Sequence, residues 1–507
     1  MSPRQSGTER QPRPIRAGFS FLRSGCATAC NLRGRLAYLL TMTRLIRPLT
    51  AALMLGLAVP AVPAHAEARV PRDRAEIGLG FAPVVKEVAP AVVSIYARRI
   101  IATRQSPFMD DPFFREFFGD IGQMRPQVQN SLGSGVILSG DGIVVTNYHV
   151  IGAATDIRVV LKDRREFGAR VILGDEESDL AVLKLDVPEE LPHLALRDSD
   201  RVEVGELVLA IGNPFGVGQT VSSGIISGLA RSGVLTGQVR GYFLQTDAPI
   251  NPGNSGGALV DVNGALIGIN TSILSRSGGS NGIGFAIPSN LVGQFVEQAR
   301  AGNERFERPW AGMTGQPVEA DMAASLGLSV PGGVLVSDLH AESPFAGAGL
   351  QVGDVVTHVD GQPVDSPSEM LFRMSVAGVG ASAHVAYMRE GREQVADVAM
   401  IRPPETPEAD ERRLPRDSAL PGLALARVNP ALIARLDLPL STQGVIVTEP
   451  GPYGARAGLR TGDVIARVNG APVETSAAAA RALEARGRWM VMDVLRRGQP
   501  LQLRFRL

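Results

Sequence analysis

The sequence predicts a mainly β protein of roughly three units, a barrel-type domain followed by two small α+β modules. Two observations carry this. Short β-branched runs bounded by Gly, Asn, Asp or Pro recur from Gly133 to Ile287, as in an all-β barrel or sandwich. Downstream, one pattern occurs twice, its Ala-Gly-Leu block recurring at an offset of 109 residues, from Gly349 to Gly458. At 507 residues the chain exceeds what one hydrophobic core supports.

The balance of 44% hydrophobic to 20% charged residues, with 57 Gly and 35 Pro, fits turn-rich globular domains rather than disordered or fibrous chains. Lys plus Arg and Asp plus Glu both number 51, so no basic surplus exists to displace counterions from nucleic acid or to hold anionic lipid. Nucleic acid is therefore not an expected partner.

From Met42, Arg44 and Arg47 precede an apolar stretch of about a dozen residues that ends in Ala64-His65-Ala66. This reads as a secretory signal cleaved after Ala66. The apolar run is shorter than the roughly 20 residues that span a bilayer, so no stable membrane anchor is expected, although a retained anchor is the alternative. Residues 1–41 carry seven arginines and a single acid, Glu9, ahead of this signal. Met42 is the expected true start, with an organelle transit peptide the competing reading of the Arg-rich leader 1–41. Cys26 and Cys30 both lie in that leader. The mature chain then has no cysteine, which excludes disulfides, a thiolate nucleophile and Cys-ligated zinc.

In chain order, residues 78–103 read as a short helix and a strand at 91–96. A loop at 107–125 follows, carrying Phe108, Phe113, Phe114, Phe117 and Phe118. The β-branched runs include Gly135-Val136-Ile137-Leu138, Ile143-Val144-Val145 and Leu207-Val208-Leu209-Ala210-Ile211. A polar helix at 289–301 closes the unit expected over 78–301, and 302–308 is a charged linker.

The repeat then begins. Gly333-Val334-Leu335-Val336, Ala348-Gly349-Leu350 and Gly353-Asp354-Val355-Val356 return as Gly444-Val445-Ile446-Val447, Ala457-Gly458-Leu459 and Gly462-Asp463-Val464-Ile465. Asp360-Gly361 and Asn469-Gly470 supply the positive φ of a tight hairpin turn in each copy. The modules are placed at 309–402 and 416–507, and the Pro- and charge-rich stretch 402–416 reads as a solvated linker.

Chemistry is concentrated in Asp247-Ala248-Pro249-Ile250-Asn251-Pro252-Gly253-Asn254-Ser255-Gly256-Gly257. A serine among glycines lets its hydroxyl and neighbouring N–H groups approach a carbonyl, with Gly253, Asn254 and Ser255 as the oxyanion loop. As an isolated tetrapeptide, Gly-Asn-Ser-Gly is equally good turn chemistry. Serine needs a base, and the base an orienting acid. His149, in Thr146-Asn147-Tyr148-His149-Val150, ends a β-branched strand and can face a cleft. His193, His340, His358 and His384 have bland settings. Asp179 heads the apolar strand Leu180-Ala181-Val182-Leu183, where a turn cap is the alternative reading.

Gly253 to Gly257 formally matches the Gly-x-Ser-x-Gly elbow, but α/β-hydrolases place acid and histidine after the serine. The order His149, Asp179, Ser255 favours the chymotrypsin arrangement. With these segments, Gly212-Asn213-Pro214-Phe215-Gly216 and the two repeats in this order, the chain from about Phe81 resembles the HtrA/Deg (Do-like) family of serine proteases. The two-module layout resembles its periplasmic branch, and the repeats then are PDZ modules.

The resemblance implies a chymotrypsin-like double β-barrel and an ATP-independent endopeptidase for unfolded exported proteins, with no metal or organic cofactor. In it His149 is general base, Asp179 fixes the imidazole tautomer and Ser255 forms the acyl-enzyme. It places Thr271, Ser272, Ile273 and Leu274 at a pocket for small aliphatic residues and residues 231–242 at a sensing loop. Gly312 and Met313, and Gly422 and Leu423, fall at the peptide-binding loops of the modules, which would take C-terminal peptides. A homo-oligomer built from trimers is implied. A different class of function, a PDZ-based binding protein or holding chaperone with a vestigial protease site, is the alternative.

Overall fold

In a computed structural model of the chain, the described residues are 80–101, 127–152, 154–213, 218–232, 242–251, 253–273, 281–484 and 489–506. The expected signal and its cleavage point, the Phe-rich loop and Leu274 lie outside them, as do residues 233–241 of the expected sensing loop.

Two closed six-stranded barrels come first. Barrel one contains β1 (Val92–Ile101), β2 (Gln127–Ser139), β3 (Ile143–Thr146), β4 (Asp156–Val160), β5 (Glu166–Asp175) and β6 (Leu180–Leu185), in the order β1-β2-β3-β6-β5-β4. Barrel two contains β7 (Leu207–Gly212), β8 (Thr220–Ser232), β9 (Tyr242–Thr246), β10 (Ala258–Asp261), β11 (Leu266–Ile273) and β12 (Gly284–Pro288), in the order β10-β11-β12-β9-β8-β7. Closure leaves no strand edge to aggregate. This is the double β-barrel expected from the order of the three candidate residues.

The strands form where β-branched runs have interior positions to fill: Val92, Val93, Ile95, Val136, Val144 and Leu183 are fully or almost fully buried. Helix α1 (Ala82–Val88) precedes β1, and α2 (Tyr148–Ile151) is a single turn after β3. Helix α3 (Ser289–Arg300) leaves β12 and lies against β5 and β6 of the first barrel, burying Leu291, Val292 and Phe295. It therefore straps one barrel to the other.

The first repeat is a sheet of β13 (Met313–Pro317), β14 (Val334–Leu339), β15 (Val355–Val359), β17 (Ser382–Arg389) and β18 (Arg392–Ala399), with β16 (Gln362–Pro363) paired to β15. Its helices are α4 (Ala320–Ala323), α5 (Pro344–Gly347) and α6 (Pro367–Ala377). The second repeats this with β20 (Ala424–Arg427), β21 (Val445–Glu449), β22 (Val464–Val468), β23 (Ala471–Pro472), β24 (Trp489–Arg496) and β25 (Gln499–Arg506). Its helices are α7 (Pro430–Leu436), α8 (Gly451–Arg456) and α9 (Ser476–Glu484). Both expected hairpin turns form, with φ of 50° and 74° at Asp360-Gly361 and 51° and 83° at Asn469-Gly470.

The linker expectation is corrected in one place. β19 (Arg412–Arg413) joins the second module's sheet beside β20, and Leu414 is buried in that module's core. The second sheet thus begins inside the stretch read from its charge and proline as solvated.

Candidate active site

The site lies between the barrels and is assembled from three turns. Asn147 follows β3 as the extended residue before α2, which begins at Tyr148 and puts His149 on the cleft side with its side chain 52% exposed. Asp179 precedes β6 with φ of 53°, a left-handed conformation that Asp tolerates better than bulkier residues. There it is only 6% exposed.

A buried carboxylate requires donors, and Asp179 has three. The backbone N–H of His149 donates to Oδ1 at 3.0 Å, and Nδ1 of the same residue lies 2.9 and 2.8 Å from the two oxygens. The Thr271 hydroxyl donates to Oδ2 at 2.7 Å. The Asp179 carbonyl is held as well, by Asn147 Nδ2 at 3.0 Å and the Tyr148 N–H at 3.1 Å. With Nδ1–H committed to the carboxylate, Nε2 is left as the acceptor nitrogen facing the cleft.

Ser255 comes from the second barrel on a turn that only glycine can complete. A Cβ on Gly256, whose φ is 81°, would sit 2.1 Å from the Ser134 carbonyl oxygen, and one on Gly257 2.3 Å from that of Ile211. Asn254 is buried and its N–H donates to the Asn251 carbonyl at 3.0 Å, so that amide is taken up within the turn. Ser134 stitches the turn to the first barrel. Its N–H donates to the Ser255 carbonyl at 2.9 Å, its hydroxyl donates to the Gly253 carbonyl at 2.6 Å, and that hydroxyl accepts from the Asn213 N–H at 2.8 Å.

Among the described residues the Ser255 hydroxyl donates to the Thr271 carbonyl at 3.0 Å rather than to the imidazole. Thr271, expected in the pocket wall, is turned inward and is 5% exposed; its carbonyl holds the serine and its hydroxyl holds the aspartate. Ser272 and Ile273 continue β11, with Ile273 opposite Gly284. The structure therefore brings His149, Asp179, Ser255 and Thr271 together. Asn147 and Ser134 escape a sequence reading because a lone buried polar residue follows no periodicity, although Asn147 lies within the histidine segment.

The turn before Asp179 has an outside support. Arg308 forms an ion pair with Asp175, with Nη1 3.2 Å from Oδ1, and donates to Ser178 Oγ at 2.7 Å. Arg373 of α6 pairs with Asp200, donates to the Tyr242 hydroxyl at 3.0 Å and lies 4.9 Å over that ring, while Phe372 stacks on Tyr242 at 4.2 Å. The first module is in this way docked on β9.

The loop segments follow the repeats. Gly312 has φ of 59° and its carbonyl accepts from the His340 N–H at 2.8 Å; Met313 opens β13. Gly422 has φ of 80°, and Leu423 is fully buried ahead of β20. Among the described residues no group of three or more His, Cys, Asp or Glu side chains is placed to hold a metal ion. Among the same residues no helix is long and apolar enough to cross a membrane.

Residues 133–269 match the family described as trypsin-like peptidase domain, and residues 298–400 and 445–496 each match a PDZ domain family. The chain is similar to a probable periplasmic serine protease do/HhoA-like of Haemophilus influenzae, 38% identical over 430 residues, 82% of this chain and 89% of that protein. It is 37% identical over 430 residues to the periplasmic pH-dependent serine endoprotease DegQ of Escherichia coli, covering 84% of this chain and 91% of the relative. With the periplasmic serine endoprotease DegP of the same organism the identity is 34% over 469 residues, 88% of this chain and 96% of the other. Barrel topology, module order and similarity along most of the length agree, and the chain belongs to the HtrA/Deg family of periplasmic serine endoproteases with two PDZ domains.

Proposed function

We propose that this enzyme cleaves unfolded exported polypeptides through an acyl-enzyme on Ser255, with His149 as general base and Asp179 as its orienting acid. The observation that carries the reading is the double grip of Asp179 on His149, through backbone N–H and Nδ1 together, beside a serine on a glycine turn. Nε2 takes the Ser255 proton as Oγ attacks the scissile carbonyl carbon, and returns it to the leaving amine. Asp179 stabilises the imidazolium. Water, deprotonated by the same nitrogen, then releases the acyl group.

The N–H groups of Gly253 and Ser255 are the oxyanion donors, Asn254 serving the turn that holds them. In the arrangement seen here Ser255 Oγ rests on the Thr271 carbonyl. Rotation about its Cα–Cβ bond toward Nε2 is the step that readies the site, so Thr271 both restrains the nucleophile and steadies the acid. The strand carrying Ser272 and Ile273 forms a pocket for small aliphatic side chains. The PDZ modules take chain ends by adding a strand to a sheet edge, and the working particle is a trimer or a multiple of trimers.

The test is degradation of reduced casein by the chain from Glu67. Cleavage that falls at least about a thousandfold in Ser255→Ala supports the reading. If wild type cleaves nothing, with or without a C-terminal activating peptide, while holding casein in solution, the protein is a PDZ-based binding protein or chaperone instead.

A further inference from the structure

In the first module β13 is the end strand of its sheet and largely exposed, and α6 lies against it. A PDZ module receives a ligand as a new strand at this edge. In the second module the equivalent strand, β20, is not an edge. β19 pairs antiparallel with it, Arg412 opposite Leu425 and Arg413 opposite Ala424, and α9 lies against β19 as well as β20. We propose that the second module carries its own ligand: residues 412–414 occupy the groove between β20 and α9, with Leu414 in the place of a peptide's C-terminal residue.

The details match a bound chain end. The Leu414 side chain is 4% exposed and packs in the cluster of Leu420, Leu423, Leu425, Ala479 and Leu483. Its N–H donates to the Leu423 carbonyl at 2.8 Å, and its carbonyl accepts from the N–H of Gly422 at 3.1 Å, in the loop expected to hold a carboxylate. The next residue is Pro415, so the peptide group after Leu414 offers that loop an acceptor and no N–H. Proline also keeps Leu414 extended.

The strap continues upstream along the same edge. The Arg427 N–H donates to the Ala409 carbonyl at 2.6 Å, and Asn429 Nδ2 donates to that of Pro407 at 2.9 Å. Side chains fasten it further: Ser476 of α9 donates to Asp410, Thr448 donates to Glu411 at 3.0 Å, and Arg413 pairs with Glu449. An outside peptide reaches this groove only when the strap has left it, so its apparent affinity there is reduced by the fraction of modules that are open. At rest the first module alone is receptive.

This inference rests on the PDZ grooves being peptide sites, and the experiment separates the two. The probe is a photo-crosslinking peptide copying residues 405–414 and ending in a free leucine carboxylate, added to the full chain, with crosslinks mapped by mass spectrometry. In wild type the label falls on residues 313–317 and is at least about tenfold weaker on residues 424–427. In Leu414→Asp, and in Asp410→Ser combined with Arg413→Ser, which leaves the core intact, label appears at 424–427. Equal labelling of both strands in wild type, or folded variants that gain none at 424–427 while 313–317 still reacts, overturns the proposal. Hydrogen exchange on wild type gives a reading that needs no variant: the Leu414 and Gly422 amides are slow, and exchange as fast as an unstructured chain overturns it. Absence of label at 313–317 counts against the general PDZ reading instead.

Discussion

At the scale of single residues, Asp179, the proposed orienting carboxylate, is held by more than His149. A hydrogen bond to a charged group contributes about 1.5–3 kcal/mol, and Asp179 receives one from the Thr271 hydroxyl. Thr271→Val removes that donor at nearly constant volume, and kcat for a peptide substrate falls about tenfold with KM little changed, whereas Thr271→Ser keeps most activity. Steady-state kinetics on the three proteins check this, and an unchanged kcat in the valine variant removes Thr271 from the account. His149, Asp179 and Ser255 were legible because each stands in a distinctive local setting and their order excluded the elbow alternative. The roles of Thr271 and Ser134 were not, since they follow from contacts between segments more than 90 positions apart in the chain.

At the scale of elements, the linker after α3 does more than connect. Arg308 grips Asp175 and Ser178 while cation–π contact with Phe306, 5.2 Å away, fixes its direction. Arg308→Ala frees the turn that presents Asp179, and kcat falls about three- to tenfold through misplacement of the acid. Lysine, a single point charge, cannot span both partners and rescues poorly. Stopped assays at saturating substrate check it; wild-type turnover in the alanine variant contradicts the positioning role. Strands and repeats were readable from period and turn chemistry, because both follow from local backbone preference. β19 was not, since two arginines beside prolines look solvated until β20 offers them a partner and Leu414 finds a pocket.

At the scale of the molecule, α3 binds the barrels together, and Asp141 in the turn between β2 and β3 reaches it through Arg300 at 3.1 Å. Hydrogen bonds from Ser139 and Lys184 hold the Asp141 carboxyl down to about 2, below its usual 3.8. A carboxyl lowered in the folded state stabilises it above the unfolded value, and that contribution is lost as pH falls from about 4 through about 2. The side chain is half exposed, so solvent screening keeps the effect small. Asp141→Asn lowers the urea midpoint slightly at pH 7, and the gap from wild type closes near about pH 2. A gap that widens in acid contradicts the assignment.

In the proposed mechanism the His149–Asp179 pair activates Ser255. Its most direct test is the rate at which a fluorophosphonate labels the full chain, with the modified residue located by mass spectrometry. A single adduct on Ser255 is expected, formed at least about a hundredfold more slowly in His149→Ala. An adduct on another serine, or equal rates in the two proteins, would contradict it.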